Sequence, residues 1–182
     1  VIVSGRRQAP LETLASEIGG IAIPCDMGDE ASIQSLFQSA SEQESPVHIA
    51  INSAGALAGN PIAALTREAI QPTVDVSFIG ALLMFKYAAE VMTEGGSIMT
   101  ISSLTARLPG PGLAVYAAAR AGIDYAIKIA AVEYGEQNIR FNSIAAGLIR
   151  TDMTDAIFEH SDSEERFIPH IPSGRMGTID DI

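Results

Sequence analysis

Short apolar runs alternate with helix-length stretches along the whole chain, and this alternation limits the possible folds more than any other feature. The runs are Val1–Ser4, Ile21–Pro24, Val47–Asn52, Ser97–Ser102 and Arg140–Ala145. They read as continuous apolar segments rather than alternating ones, which suits parallel strands buried on both faces. Between them lie helical stretches at Pro10–Ile18, Glu30–Ser41, Thr73–Met92 and Leu113–Gly135. Pro10 at a helix start, Gly19-Gly20 at its end and Gly95-Gly96 before a strand are the matching punctuation. Strand–helix–strand repetition predicts an α/β fold, a doubly wound parallel sheet of the Rossmann type with helices on both faces. No repeat, low-complexity tract or linker interrupts it, so residues 1–182 read as one domain.

Both ends look cut. The chain opens inside the strand-like run Val1-Ile2-Val3-Ser4. It closes at Thr178-Ile179-Asp180-Asp181-Ile182, where a cap-like Thr and two acids resemble the start of a helix. The expectation is a domain truncated at both ends.

Composition removes several function classes. Net charge is −11, from 22 acids against 11 bases. Nucleic acid and anionic membrane surfaces are bound mainly through Lys and Arg, so neither is an expected partner. The 47% hydrophobic content with only 5% aromatic residues and no Trp points to aliphatic packing of helices on a sheet. A single cysteine, Cys25, excludes an internal disulfide and a Cys-based zinc cluster. His48, His160 and His170 have no metal-ligand spacing, so no metal is expected and they read as structural or surface residues. Apolar runs such as Ile79–Phe85 fall far short of the roughly 20 residues that span a bilayer. With no signal peptide in view, a soluble cytoplasmic protein is expected.

In doubly wound sheets, ligands bind outside the carboxyl ends of the strands. The first strand is followed by Gly5-Arg6-Arg7. An acid there would hydrogen-bond a ribose 2′-hydroxyl, whereas Gly followed by Arg leaves room and charge for a 2′-phosphate; a solvated basic turn is the plainer reading. The second is followed by Asp26-Met27, whose carboxylate could meet an adenine amino group or cap the next helix. The third is followed by Asn52-Ser53-Ala54-Gly55, small and polar enough for the backbone to pass close to a ligand, or a plain turn. The fourth ends at Ser102-Ser103, and the fifth leads into Gly147, Ile149 and Thr151.

The densest chemistry is Tyr116 and Arg120 in the helix-like run Tyr116-Ala-Ala-Ala-Arg120-Ala-Gly122, with Ser103 at the end of the preceding strand. Residues i and i+4 share a helix face, so phenol and guanidinium can point into one cleft. A phenol in water titrates near pH 10, too high to trade protons at neutrality. A fixed neighbouring cation favours the phenolate, while a serine hydroxyl can hold a substrate oxygen beside it. Such a site could move a proton to or from the oxygen of a carbonyl/alcohol pair. Taken alone, the pair reads more plainly as a surface contact of helical spacing.

Together these segments resemble the short-chain dehydrogenase/reductase family over essentially all 182 residues. The marks are Asn52-Ser53-Ala54-Gly55 for the family's Asn-Asn-Ala-Gly, Ser103 and Tyr116 at the family's spacing, and Ala146-Gly147 for its Pro-Gly. The resemblance implies NADP(H), ahead of NAD(H), held by Arg6, Arg7, Asp26, Met27, Asn52, Ala54, Gly55, Tyr116, Arg120, Gly147, Ile149 and Thr151. It places Asp26 against the adenine, and Ile149 and Thr151 in the segment that holds the nicotinamide amide and the diphosphate side. It implies a small-molecule carbonyl or alcohol substrate, with Tyr116 as acid/base, Ser103 orienting the substrate oxygen and Arg120 supplying charge and ribose contacts. The segment from Thr151 to Arg175 should form the substrate lid.

The departures carry weight too. Arg120 stands where the family has Lys, keeping charge and donors but adding bulk and never releasing a proton. Ser77 stands where the family has the Asn that helps hold a relay water, and Ala146 replaces Pro. The glycine-rich phosphate loop is not in the sequence, and Gly110-Pro111-Gly112 is no substitute because it precedes the Tyr helix rather than following a first strand. A competing reading is therefore a catalytically degenerate relative that binds nucleotide or a partner without turnover. Another doubly wound nucleotide binder, such as a methyltransferase, leaves the Ser103/Tyr116 spacing unexplained. Ile79, Leu82, Leu83, Phe85, Ile123, Ile127 and Ile129 point several ways around the two long helices, more apolar surface than one sheet face needs. With the resemblance, this implies helices paired across a two-fold axis in a homodimer or homotetramer.

Overall fold

The computed structural model describes residues 1–155 and 167–182. It forms two compact units, Val1–Ile144 and Ala145–Ile182. All five expected strands are present: β1 (Ile2–Gly5), β2 (Ile21–Pro24), β3 (Ile49–Asn52), β4 (Gly96–Ser103) and β5 (Ile139–Ala146). β1 and β2 pair in parallel with Ile2 opposite Ile21, and β3 and β4 pair in parallel with Asn52 opposite Thr100. The ladders fall into two groups, β1–β2 and β3–β4–β5, so among the described residues β1 and β3 each pair on one side only.

Helix α1 (Gln8–Ile18) packs on β1 and β2, and α2 (Glu30–Ser41) packs against the later α4. α2 matches its expected bounds and is capped by Asp29, whose carboxylate accepts the N–H groups of Ala31 and Ser32 at 3.3 and 3.2 Å. The single helix expected over Thr73–Met92 differs. It begins at Arg67, where the hydroxyl of Thr66 accepts the Ala69 N–H, and α3 (Arg67–Val74) carries Pro72 in its interior. A proline has no N–H to bond the preceding turn. The chain then widens into a π-helical turn, Asp75–Ile79, before resuming as α4 (Gly80–Val91). α5 (Ala114–Glu133) is the longest helix described.

The core lies between β3–β4 and the helices α2, α4 and α5. Ile33, Ile98 and Ile123 are fully buried there. Each such side chain stabilises the fold by about 1.5–3 kcal/mol relative to exposure. Phe85 meets Phe141 edge to face, with ring centroids 5.5 Å apart. Two glycines set close approaches. A Cβ on Gly80 would run into the carbonyl of Met27, and one on Gly122 would sit 2.8 Å from the Phe78 ring. The π turn is thus seated against α5, and the start of α4 against the residues after β2.

Burial on both faces does not hold for β3. Ala50 and Asn52 face the core, while Ile49 and Ile51 are 69% and 60% exposed. Helix α4 packs against this strand, and the face that carries Ile49 and Ile51 is open among the described residues. The apolar surplus on the long helices is also smaller than the sequence implies. Phe85, Ile123 and Ile127 belong to the core and Leu83 packs against it, leaving Ile79, Leu82 and Ile129 exposed together with Tyr125 and Val132.

In the second unit, Ile149 bridges Gly177 in parallel, and Thr178 begins a 3₁₀ turn, Ile179–Asp181, as a cap with Asp181. The lid expected over Thr151–Arg175 includes residues 156–166, which lie outside the described residues, as does His160. His48 sits 3.5 Å from Glu94 on the surface, and His170 ends an exposed 3₁₀ turn. Among the described residues no helix is long and apolar enough to cross a membrane.

Candidate active site

The end of β4 and the start of α5 meet through the 3₁₀ turn Leu104–Ala106. Ser103, the last residue of β4, caps that turn. Its Oγ accepts the Thr105 N–H at 3.2 Å and the Thr105 hydroxyl at 2.9 Å. Tyr116 lies in the first turn of α5 and Arg120 one turn later; both are buried, at 8% and 3% exposure. The Arg120 guanidinium carbon is 5.2 Å from the centre of the Tyr116 ring. A cation at that distance over a ring face is attracted by the ring, the more so when shielded from water.

Arg120 also reaches the loop after β3, where its Nη2 donates to the carbonyl of Ala54 at 3.1 Å. Two further residues fasten the same loop. Asn52 Oδ1 accepts the Ala54 N–H at 3.0 Å. Ser77 Oγ accepts the Ala56 N–H at 3.0 Å and donates to the Ala56 carbonyl at 3.1 Å. Ser77 is completely buried in the π turn, and its only proton goes to Ala56. Through Ala56, Ser77 fastens the loop that contains Gly55. No signal within the sequence could find this bond, because its partners are 21 residues apart.

Sequence reasoning also missed a set of buried polar atoms. Asn52 Nδ2, Thr100 Oγ1, Ser102 Oγ, Arg120 Nε and Nη1, and both carboxylate oxygens of Asp124 are buried without a hydrogen-bond partner.

The ends of β1 and β2 supply the remaining first-unit candidates. Arg6 and Arg7 are exposed just after Gly5, with Arg7 at the cap position of α1. Asp26 does not cap α2; Asp29 does. Asp26 Oδ1 instead takes the Gly28 N–H at 2.9 Å, and the Asp26 N–H donates to Ser32 Oγ at 3.0 Å. Met27 packs against the core. Next to Asp26, burial pushes the Cys25 thiol above its ordinary range, so it stays protonated. In the second unit, the Thr154 hydroxyl accepts the Thr151 N–H at 2.9 Å and donates to the Ile149 carbonyl at 2.7 Å, fixing the turn after Gly147.

The full length, residues 1–182, matches a family model described as enoyl-(acyl carrier protein) reductase. A 3-oxoacyl-[acyl-carrier-protein] reductase from Mus musculus is 32% identical over 166 residues, covering 90% of this chain and 68% of the relative. The chain belongs to the short-chain dehydrogenase/reductase family. The enoyl-[acyl-carrier-protein] reductase [NADH] FabI of Bacillus subtilis is 34% identical over 155 residues, with 80% of this chain and 60% of that protein covered. The crystal structure of a gluconate 5-dehydrogenase from Burkholderia cenocepacia J2315, in complex with NADP and tartrate, superposes with a TM-score of 0.93. It covers 99% of this chain and 73% of that one at 20% identity, a likeness of fold. This short-chain dehydrogenase/reductase is thus a member of an oxidoreductase family that uses NAD(P).

Proposed function

We propose that this family member interconverts a carbonyl and a secondary alcohol by hydride transfer with NADP(H). The observation that carries the reading is Arg120 standing 5.2 Å over the Tyr116 ring while bonded to Ala54, with Ser103 ending the strand that leads to α5. Tyr116 is the acid/base at the substrate oxygen. Ser103 Oγ orients that oxygen, Arg120 supplies the positive field, and Ser77 keeps the loop after β3 in place. The chain's residues fit an anionic dinucleotide: two exposed guanidiniums follow β1, and a loop of small residues pinned by Asn52, Arg120 and Ser77 follows β3. Arg6 and Arg7 take the 2′-phosphate, Asp26 and Met27 line the adenine, and Asn52, Ala54, Gly55, Gly147, Ile149 and Thr151 take the remainder. Bound nicotinamide supplies or receives the hydride. With Arg120 unable to give up its proton, proton exchange with solvent falls to Tyr116 and water.

We also assign the exposed apolar side chains of α4 and α5, Leu82, Ile129 and Val132 among them, to a two-fold contact between copies of the chain. The buried lone thiol of Cys25 suits a cytoplasmic protein.

The deciding experiment is reduction of activated ketones by the complete protein with NADPH, before and after Tyr116→Phe. General acid–base groups typically contribute about 10²–10⁴-fold, so the substitution should remove most of the rate. Turnover that survives it undiminished would end this mechanism. The second reading, a binder without turnover, is favoured by Arg120 in place of Lys. It expects no reduction by the wild type and unchanged NADPH affinity in Tyr116→Phe.

A further inference from the structure

Helix α5 carries two desolvated groups of opposite charge one turn apart. Arg120 is the one charged residue counted as buried among the described residues. Its Nη2 is on the Ala54 carbonyl, while Nε and Nη1 are buried with no hydrogen-bond partner. Asp124 has both carboxylate oxygens buried, again with no partner, and no other carboxylate among the described residues is in that condition. Taking a single ion out of water without a counter-charge is among the costliest things a fold can do. Each of these groups has what the other lacks.

Helix geometry favours their meeting. Residues four apart lie on neighbouring positions of one flank, and side chains lean toward the helix N-terminus, which tilts Asp124 back toward the turn of Arg120. The competing charges on the elements packed against α5 are otherwise engaged or wet. Arg67 and Glu68 on α3 are exposed, as are Lys86 and Glu90 on α4 and Arg107 after the 3₁₀ turn. Asp75 in the π turn accepts the Gln71 amide at 2.7 Å.

We infer that Asp124 is the counterion of Arg120, reaching Nε and Nη1 through one bridging water, since its oxygens stand beyond direct bonding distance of them, while Nη2 stays on Ala54. Asp124 is then a positioning residue. It anchors the guanidinium over the Tyr116 ring and sets how much of its charge the phenol feels. A planar fork can span two partners in this way, which a single ammonium does less well. The inference rests on the proposed site only in so far as Arg120 belongs to it.

The test is a double-mutant cycle on the complete protein, reading urea unfolding of wild type, Arg120→Met, Asp124→Asn and the double variant. If the two are paired, Arg120→Met should lower the folding equilibrium constant about tenfold more in the wild-type background than beside Asp124→Asn. Equal losses in both backgrounds would overturn the pairing. Should a variant fail to fold, carbon-13 NMR of the wild-type aspartate carboxyls decides. A carboxylate signal for Asp124 at pH 7 supports the ion pair, and a protonated acid there refutes it. As a third arm, Asp124→Glu should keep most of the wild-type kcat with altered cofactor KM, while Asp124→Asn loses kcat. Equal kcat losses in the two would mean that Asp124 acts by shape, against the inference. Coupling in a protein inactive on every ketone would keep this inference and discard the hydride-transfer reading; activity with additive losses would do the reverse.

Discussion

Ser77 clasps Ala56 by both of its backbone groups, with Oγ 3.0 Å from the amide nitrogen and 3.1 Å from the carbonyl oxygen. One hydroxyl therefore satisfies both backbone groups of a residue in the loop that follows β3. Ser77→Ala removes a donor and an acceptor at once and leaves two backbone groups to find water. The expected cost is about 1–3 kcal/mol of stability. Urea unfolding of the two proteins measures it, and a loss under about 0.5 kcal/mol would show that water replaces the hydroxyl without penalty.

How far this site could be read in advance depended on sequence separation. Tyr116 and Arg120 were legible because i, i+4 spacing on a helix is a local property, and Ser103 because it ends an unmistakable apolar strand. The extent of α2 was legible because Ile33, Leu36 and Phe37 recur at helical spacing between two apolar runs. The start of α3 was not. Pro72 reads as a helix boundary, yet the cap at Thr66 and packing against α5 carry the helix past it. Asp26 and Asp29 are both plausible caps from composition, and only backbone geometry separates them. The contacts of Ser77 and Arg120 with the loop after β3 cross 21 and 66 residues, and no periodicity encodes such distances.

Cofactor choice should follow Arg6. Its guanidinium stands just beyond Gly5, where a carboxylate would instead have served a free ribose hydroxyl. The complete protein should bind NADPH more tightly than NADH, and Arg6→Ala should weaken NADPH by about tenfold while leaving NADH nearly unchanged, in line with the loss of one charge-assisted phosphate contact. Fluorescence titration of both cofactors reads this. Equal affinities in the wild type would defeat the assignment.

The second unit should loosen in acid. Arg175 grips Asp181 with two bonds of 2.7 and 2.8 Å, and the Thr178 N–H adds a third at 2.8 Å. The Arg175 guanidinium foremost, then the Thr178 amide, holds the Asp181 carboxyl far below the usual carboxylate range. A depressed carboxyl contributes stability that is complete above its unfolded value and lost as pH falls toward its folded one. Hydrogen exchange of the Arg175–Ile182 amides should therefore be steady near neutrality and lose protection below about pH 4, the ordinary carboxylate range. Asp181→Asn should show the weaker protection at every pH. Identical pH profiles in the two proteins would mean that the ion pair does not hold this turn.

Replacing Arg120 by the family's lysine should separate chemistry from stability. The ammonium is compact and can hand a proton onward, whereas the guanidinium keeps its own. Turnover of Arg120→Lys should rise by about tenfold, a fraction of the 10²–10⁴ that a full acid–base group supplies. Its stability should fall by about 1.5–3 kcal/mol, because a shorter, unforked cation gives up the Ala54 carbonyl held by Nη2. Steady-state kinetics and urea unfolding on the same preparations read both quantities. Faster turnover with an unmoved urea midpoint would mean that the bond to Ala54 contributes nothing to the fold. A lower midpoint without faster turnover would mean that proton delivery is not what limits the arginine enzyme, and that Arg120 is there to hold the loop after β3 rather than to slow the chemistry.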